Sequence, residues 1–274
     1  MIAADRILVP GALRPIIGMV HLKPLPGTPG YGGSFQAVLD AALADARVLD
    51  EEGIDAMFIE NYGDVPFRKS GVEPHTIAAM TMIAAEIRRV TRKPLGINVL
   101  RNDPIAAIGI AMVCGAGMIR VNVHTGAMLT DQGIIEGNAN ATLDYMAKLG
   151  SEIKILADVH VKHAAALAPI PIDEAAADAV ERGLADAIII TGNRTGDGVD
   201  IDELRMVRRS VQAPVLVGSG ADLDTIGELL QESDGVIVGS WLKEQGEVRR
   251  PVDRERVRRL MAAAAGVIDS DTIH

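Results

Sequence analysis

Eight short apolar runs, each followed by a longer stretch of helical character, set the strongest limit on what this chain can fold into. They occupy residues 16–21, 56–61, 95–100, 118–123, 153–160, 187–191, 214–218 and 235–239. Continuous apolar runs of this length, bounded by Gly, Pro and charged residues, mark strands buried on both faces, as parallel sheets require. Eight of them alternating with helices predict an α/β fold, a single-domain (β/α)8 TIM barrel. Such a barrel takes about 250 residues, and the chain has 274. The expected organisation is an N-terminal extension at 1–14, the barrel at 15–266 and a tail at 267–274. In this architecture the functional residues sit at the carboxyl ends of the strands.

Composition narrows the function. The net charge is −10, and there are one Trp, three Tyr and three Phe. Phosphate-backbone binding needs clustered Lys and Arg, and single-strand binding needs aromatic platforms, so nucleic acid is not an expected partner. The lone Cys114 cannot form an internal disulfide and fits a reducing compartment; its apolar, Gly-rich setting predicts an inert buried thiol. Residues 1–10 carry Asp5 and Arg6 and lack the apolar core of a signal peptide. The longest uncharged run, 104–119, is 16 residues with three glycines, short of the roughly 18 of a spanning helix. A cytoplasmic location is therefore expected. Apolar content of 48% permits a homo-oligomer interface, the expected state, without locating it.

Local signals place the elements. A Pro/Gly-rich loop at 24–33 reads as a mobile flap. Ser34 caps a first helix running to about Glu52, with Gly53 ending it. A second helix starts near His75, and Asp103 before Pro104 is an N-cap and first-turn pair. The last helix is expected over about 252–265.

Two constellations carry chemistry. After strands seven and eight come Gly218-Ser219-Gly220 and Gly239-Ser240, where barrels bind phosphate on backbone N–H groups. Plain tight turns are the ordinary alternative. The second is polar density at strand ends one to five: His21, Lys23, Glu60, Asn98, Arg120, Asn122, His124, Asp158 and His160. In strand four, Arg120, Asn122 and His124 alternate with apolar residues and so share a face; Asp158 and His160 do the same in strand five. Any one of these has a structural explanation, but burying so many is costly unless they pair or bind something. Glu60 and Asp158, flanked by histidines, suit general acid/base work. Arg120 and Lys23 suit an anionic group. A divalent metal on Glu60, His124, Asp158 and His160 is the rival use, resting on inferred proximity alone. Thr191 opens a Gly-rich loop, 191–198, which reads equally as a segment folding over a ligand and as a plain mobile loop. Lys162 and His163 read as rim or solvated loop, His75 as an early helix residue and His274 as a terminal residue. Beyond Glu247 the segment carries Arg249, Arg250, Arg254, Arg256, Arg258 and Arg259. Interleaved with Asp253 and Glu255, they read as a solvated outer helix rather than a membrane-docking one.

The stretches PIIGMVHLKPLPG (15–27), FIENYGD (58–64), IRVNVHTG (119–126), ADVH (157–160) with Lys162 and His163, VGSG (217–220) and VGS (238–240) resemble the BtpA family (BtpA/SgcQ) over nearly the whole chain. The resemblance implies a phosphate-binding type of barrel. It also implies either nucleosidase- or phosphoribosyltransferase-like chemistry or a role in photosystem I biogenesis as a peripheral membrane protein. It transfers no catalytic residue set.

The sequence thus leads to an enzyme acting on a phosphorylated pentose or nucleoside-like substrate. Phosphate would lie on 218–220 and 239–240. Asp158 or Glu60 would serve as base or stabiliser, and His21, His124 or His160 would move protons. Asn98 and Asn122 would orient hydroxyls. Glycosyl transfer and sugar-phosphate isomerisation fit equally. The alternatives are a binding platform of the photosystem-biogenesis kind, with membrane association through the family resemblance, and a phosphosugar sensor.

Overall fold

The computed structural model describes residues 8–161, 163–192 and 198–272. Eight parallel strands close into a barrel: β1 (Ile16–His21), β2 (Ala56–Glu60), β3 (Leu95–Asn98), β4 (Met118–Val121), β7 (Lys154–Val159), β9 (Ala187–Ile190), β10 (Val215–Val217) and β11 (Val236–Val238). The remaining strands, β5 (Ala127–Thr130), β6 (Gly133–Glu136) and β8 (Ala164–Ala166), form a small antiparallel sheet. It joins the connections that follow β4 and β7 and is an addition to the expected barrel. Its hairpin turns at Asp131 and Gln132, with Thr130 and Gly133 paired and Gly133 at φ 89°.

Among the described residues eight α-helices surround the barrel: α1 (Phe35–Glu51), α2 (Pro74–Val90), α3 (Pro104–Cys114), α4 (Ala139–Leu149), α5 (Ile172–Ala177), α6 (Ile201–Ser210), α7 (Ile226–Glu232) and α8 (Arg254–Thr272). Several of their starts follow capping chemistry. Ser34, Asp103 and Asn138 each accept a bond from the backbone N–H three residues on, and Asp200 does so for Asp202 and Glu203. Gly53 follows α1 at φ 86°, the left-handed turn that suits glycine. The last helix runs to Thr272, past the expected stop near 265; Gly266 inside it is tolerated. No helix among the described residues is long and apolar enough to cross a membrane.

The Pro/Gly-rich loop is not the free flap its composition suggests. Leu25 is fully buried, its N–H donates to Asp64 at 2.8 Å, and Gly63 N–H donates to Leu22 at 3.0 Å. A Cβ at Gly63 would lie 2.4 Å from Pro24 N, so only glycine lets the two turns meet.

Period-two alternation sorts the strands. Outward residues such as Val20, Ile59, Ile97 and Val121 join the helices in the main core. Inward residues Ile17, Met19, Phe58, Met118, Leu156, Ile189, Leu216 and Ile237 fill the barrel, and Val9 packs with them. Gly96 makes room for Phe58: a Cβ there would lie 2.3 Å from the Phe58 ring. Above this apolar layer the inward positions become His21, Glu60, Asn98, Arg120 and Asp158.

β1 pairs with β11 to close the barrel, and a buried ion pair holds the seam outside it. Lys243 Nζ lies 2.6 Å from Asp45 Oδ2 on α1, and Asp45 Oδ1 accepts the Val252 N–H at 2.8 Å. Removing one member of a buried pair strands the other. Asp45→Ala is therefore expected to cost about 3–5 kcal/mol, read as a lower urea midpoint at unchanged slope. Adding Lys243→Met should return part of that loss. A single-variant loss below about 1 kcal/mol, the scale of a surface pair, would show that the pair does not hold the seam.

Candidate functional site

A cavity of about 260 Å³ opens at the carboxyl ends of the strands. One wall is Gly218-Ser219-Gly220 and Gly239-Ser240; the other includes His21, Glu60, Arg120 and Asn122. The glycines keep the first wall thin. A Cβ at Gly239 would lie 3.0 Å from His21 Cε1, and one at Gly218 would lie 2.5 Å from Ile189 and 2.8 Å from Thr191. Ser219 Oγ accepts the Gly192 N–H at 2.7 Å, tying the loop after β9 to the one after β10.

Arg120 and Asp158 form a bidentate pair, with Nε to Oδ2 at 2.9 Å and Nη2 to Oδ1 at 2.8 Å. Burial opposes the guanidinium charge, but Asp158 and then Glu60 more than restore it, so Arg120 titrates above its ordinary value. Asn122 Nδ2 donates to Asp158 Oδ2 at 2.7 Å. A carboxylate held by arginine can only accept, so the Asn122 amide must turn its NH2 to it and its oxygen away. That oxygen is buried and has no protein partner among the described residues.

Glu60 is the carboxylate that fronts the cavity. Its Oε2 accepts from Asn98 Nδ2 at 2.6 Å, and its Oε1 lies 3.7 Å from His21 Nε2. The His21 ring stands 5.0 Å from that of Tyr62, tilted by 58°. Burial, then Glu60, push the Tyr62 phenol up.

The other expected residues are placed differently. Asn98 is buried behind Glu60, and Asp158 behind Arg120. Thr191 is buried, with its methyl toward Gly218. His160, at φ 51°, lines a separate small cavity of about 60 Å³ together with Asp158 and Asn122. Lys23 is exposed and outside the main cavity. His124 also lies outside it: a buried residue whose Nε2 meets the Gly183 carbonyl at 2.7 Å, just past the π-helical turn Asp178–Arg182. Glu60, His124, Asp158 and His160 do not come together as a metal set; among the described residues no three His, Cys, Asp or Glu do. Residues 193–197 of the Gly-rich loop, Lys162 and His274 lie outside the described residues.

The cavity also holds residues absent from the expected set: Arg101, Tyr62, Phe67, Trp241 and, from the rim, His163. Arg101 is buried, and burial lowers its value despite Asp158, Asp131 and Glu60 nearby. A charge directly after the third run was its signal, but Asp103 and Pro104 made the segment read as a helix start only.

Fold and mouth together define a single-domain (β/α)8 barrel protein whose polar groups converge at the carboxyl-terminal rim. The chain belongs to the BtpA family, whose profile matches residues 12–266. A protein of Thermococcus kodakarensis is 49% identical over 92% of this chain and 95% of its own length. The photosystem I biogenesis protein BtpA of Synechocystis is 45% identical over 92% of this chain and 88% of its own. Among solved structures, thiamine phosphate pyrophosphorylase from Pyrococcus furiosus superposes with a TM-score of 0.59 at 16% identity, covering 93% of this chain and 97% of that one. N-(5′-phosphoribosyl)anthranilate isomerase from the same organism gives 0.56 at 14%, covering 93% and 100%. At those identities the likeness is one of fold.

Burial holds the His124 imidazole below its ordinary 6.5, against the pull of the Gly183 carbonyl. Between the folded and unfolded values the unfolded chain binds the extra proton, so stability rises with pH in that window. The contribution is complete above about 6.5 and is lost as pH falls toward the folded value. His124→Gln should flatten that part of the stability profile in urea unfolding between about pH 7 and pH 5. An unchanged slope would assign the pH dependence to other groups.

Proposed function

We propose that the protein is an enzyme acting on a phosphorylated pentose or nucleoside-like substrate. One observation carries the reading: a single cavity joins a Gly/Ser wall from the turns after β10 and β11 to a carboxylate, two imidazoles and two guanidinium groups. Glycine lets the backbone approach phosphate oxygens closely, and those two turns are where barrels bind phosphate. Glu60, held by Asn98 and facing His21, is the acid/base group of the reading, with His21 as its proton partner. Arg101 supplies positive charge, and Arg120 is fixed by Asp158. Asp158 acts by positioning, since both its oxygens are engaged. The isomerase and pyrophosphorylase neighbours handle phosphorylated compounds by name, which agrees with this reading.

The alternative, a binding platform of the photosystem-biogenesis kind, draws on the Synechocystis relative. Its membrane contact would fall to the Arg-rich last segment, but that segment is matched by acids. Arg254 pairs with Glu51 and Glu52, and Arg258 with Glu52 and Glu255.

Ribose 5-phosphate at about 100 times its Kd should stabilise the protein by roughly 2.7 kcal/mol in thermal unfolding. Ser240→Glu should abolish the shift by placing a negative charge in the wall. Glu60→Gln should keep the shift and cut turnover of an identified substrate about 10²–10⁴-fold. A shift that survives Ser240→Glu, or turnover that survives Glu60→Gln, would overturn the corresponding assignment.

A further inference from the structure

Aromatic side chains are scarce here, with one Trp, three Tyr and three Phe in 274 residues. Four serve packing: Phe58 in the barrel, and Tyr31, Phe35 and Tyr145 against the outer core. The other three, Tyr62, Phe67 and Trp241, line the same cavity, and each is only partly buried. Tyr62 and Phe67 come from the loop after β2, and Trp241 from the turn after β11. β1 lies between those two strands, so the rings stand on either side of its end, where His21 is. His21 with Tyr62 is the only ring pair among the described residues, so Phe67 and Trp241 stack on no other ring. The Arg256 guanidinium stands over the Trp241 ring at 4.3 Å, and the ring, which also packs against the outer core, contributes its remaining surface to the cavity.

Aromatic walls with a few polar groups hold planar ligands, because stacking accepts any flat π-face. A cation is the other ligand such walls take. It is disfavoured here, since Arg101 and Arg120 line the cavity and Arg256 already occupies Trp241.

We infer that the ligand of this cavity carries a planar, uncharged ring, held between Trp241 on one side and Tyr62 and Phe67 on the other. The inference rests on the phosphosugar reading above and narrows it to a heterocycle on a sugar phosphate rather than a bare sugar phosphate. The phosphate lies toward the Gly/Ser wall, the ring stands over the ends of β1 and β2, and the sugar spans Arg120 and Asn122.

The test is calorimetric titration of the full chain with ribose 5-phosphate and the four common nucleoside 5′-monophosphates. Trp241, the single tryptophan, reports on the wall by its fluorescence. At least one ring-bearing compound should bind tenfold or more tighter than ribose 5-phosphate and quench Trp241. Phe67→Leu and Trp241→Leu should each bring that preference down to within about threefold while leaving ribose 5-phosphate affinity in place, which also shows that the variants fold. Ribose 5-phosphate binding as tightly as every ring-bearing compound would overturn the inference and leave the phosphosugar reading standing. Equal weakening of both ligand types by both variants would overturn it as well. No binding by any of the compounds would remove the reading and the inference together.

Discussion

The bidentate pair between Arg120 and Asp158 sets the geometry of the whole mouth. It lies where the barrel interior changes from an apolar layer to a polar one, with Leu156, Met118 and Ile189 below. A guanidinium in that position tolerates loss of water only because a carboxylate meets it in a fixed, two-bond geometry. The same carboxylate dictates the amide orientation of Asn122. One ion pair therefore converts three polar side chains, Arg120 on β4, Asn122 just past its end and Asp158 on β7, into a rigid surface. That surface presents an acceptor oxygen and a stationary positive charge.

The barrel was legible because burial on both faces leaves an unmistakable trace: eight apolar runs with Gly and Pro between them. Hydrogen-bonded strands begin and end within two residues of those runs. The small sheet was not legible. Its strands are three or four residues long, one is Ala164-Ala165-Ala166, and its turn at Asp131 and Gln132 lacks an Asn-Gly or Asp-Gly pair. Its third strand, β8, joins β5 only when the β4 and β7 connections come together, which is a tertiary event.

The candidate site divides along the same line. Strand-end positions such as Glu60, Arg120 and Asn122 could be assigned to one face by counting in twos. What each does could not, because partners come from distant segments. His124 is engaged by Gly183, and Asp158 by Arg120, 38 residues away. Arg101, Tyr62, Phe67 and Trp241 escaped for a related reason: they stand on loops or, for Trp241, on a single 3-10 turn, where periodicity says nothing and position depends on how the segment packs.

The seam has a consequence for how the chain reaches this state. Asp45 bonds to Lys243 and Val252 across 198 and 207 residues, and β1 meets its second neighbour only at Val236–Val238. Contacts of such sequence separation form late, after the loop between them has been ordered. Most of the chain must therefore leave the ribosome before the barrel can shut. Until then β1 keeps one row of backbone groups open to any strand it meets, and that interval is when the nascent protein is most exposed to pairing with a second copy of itself.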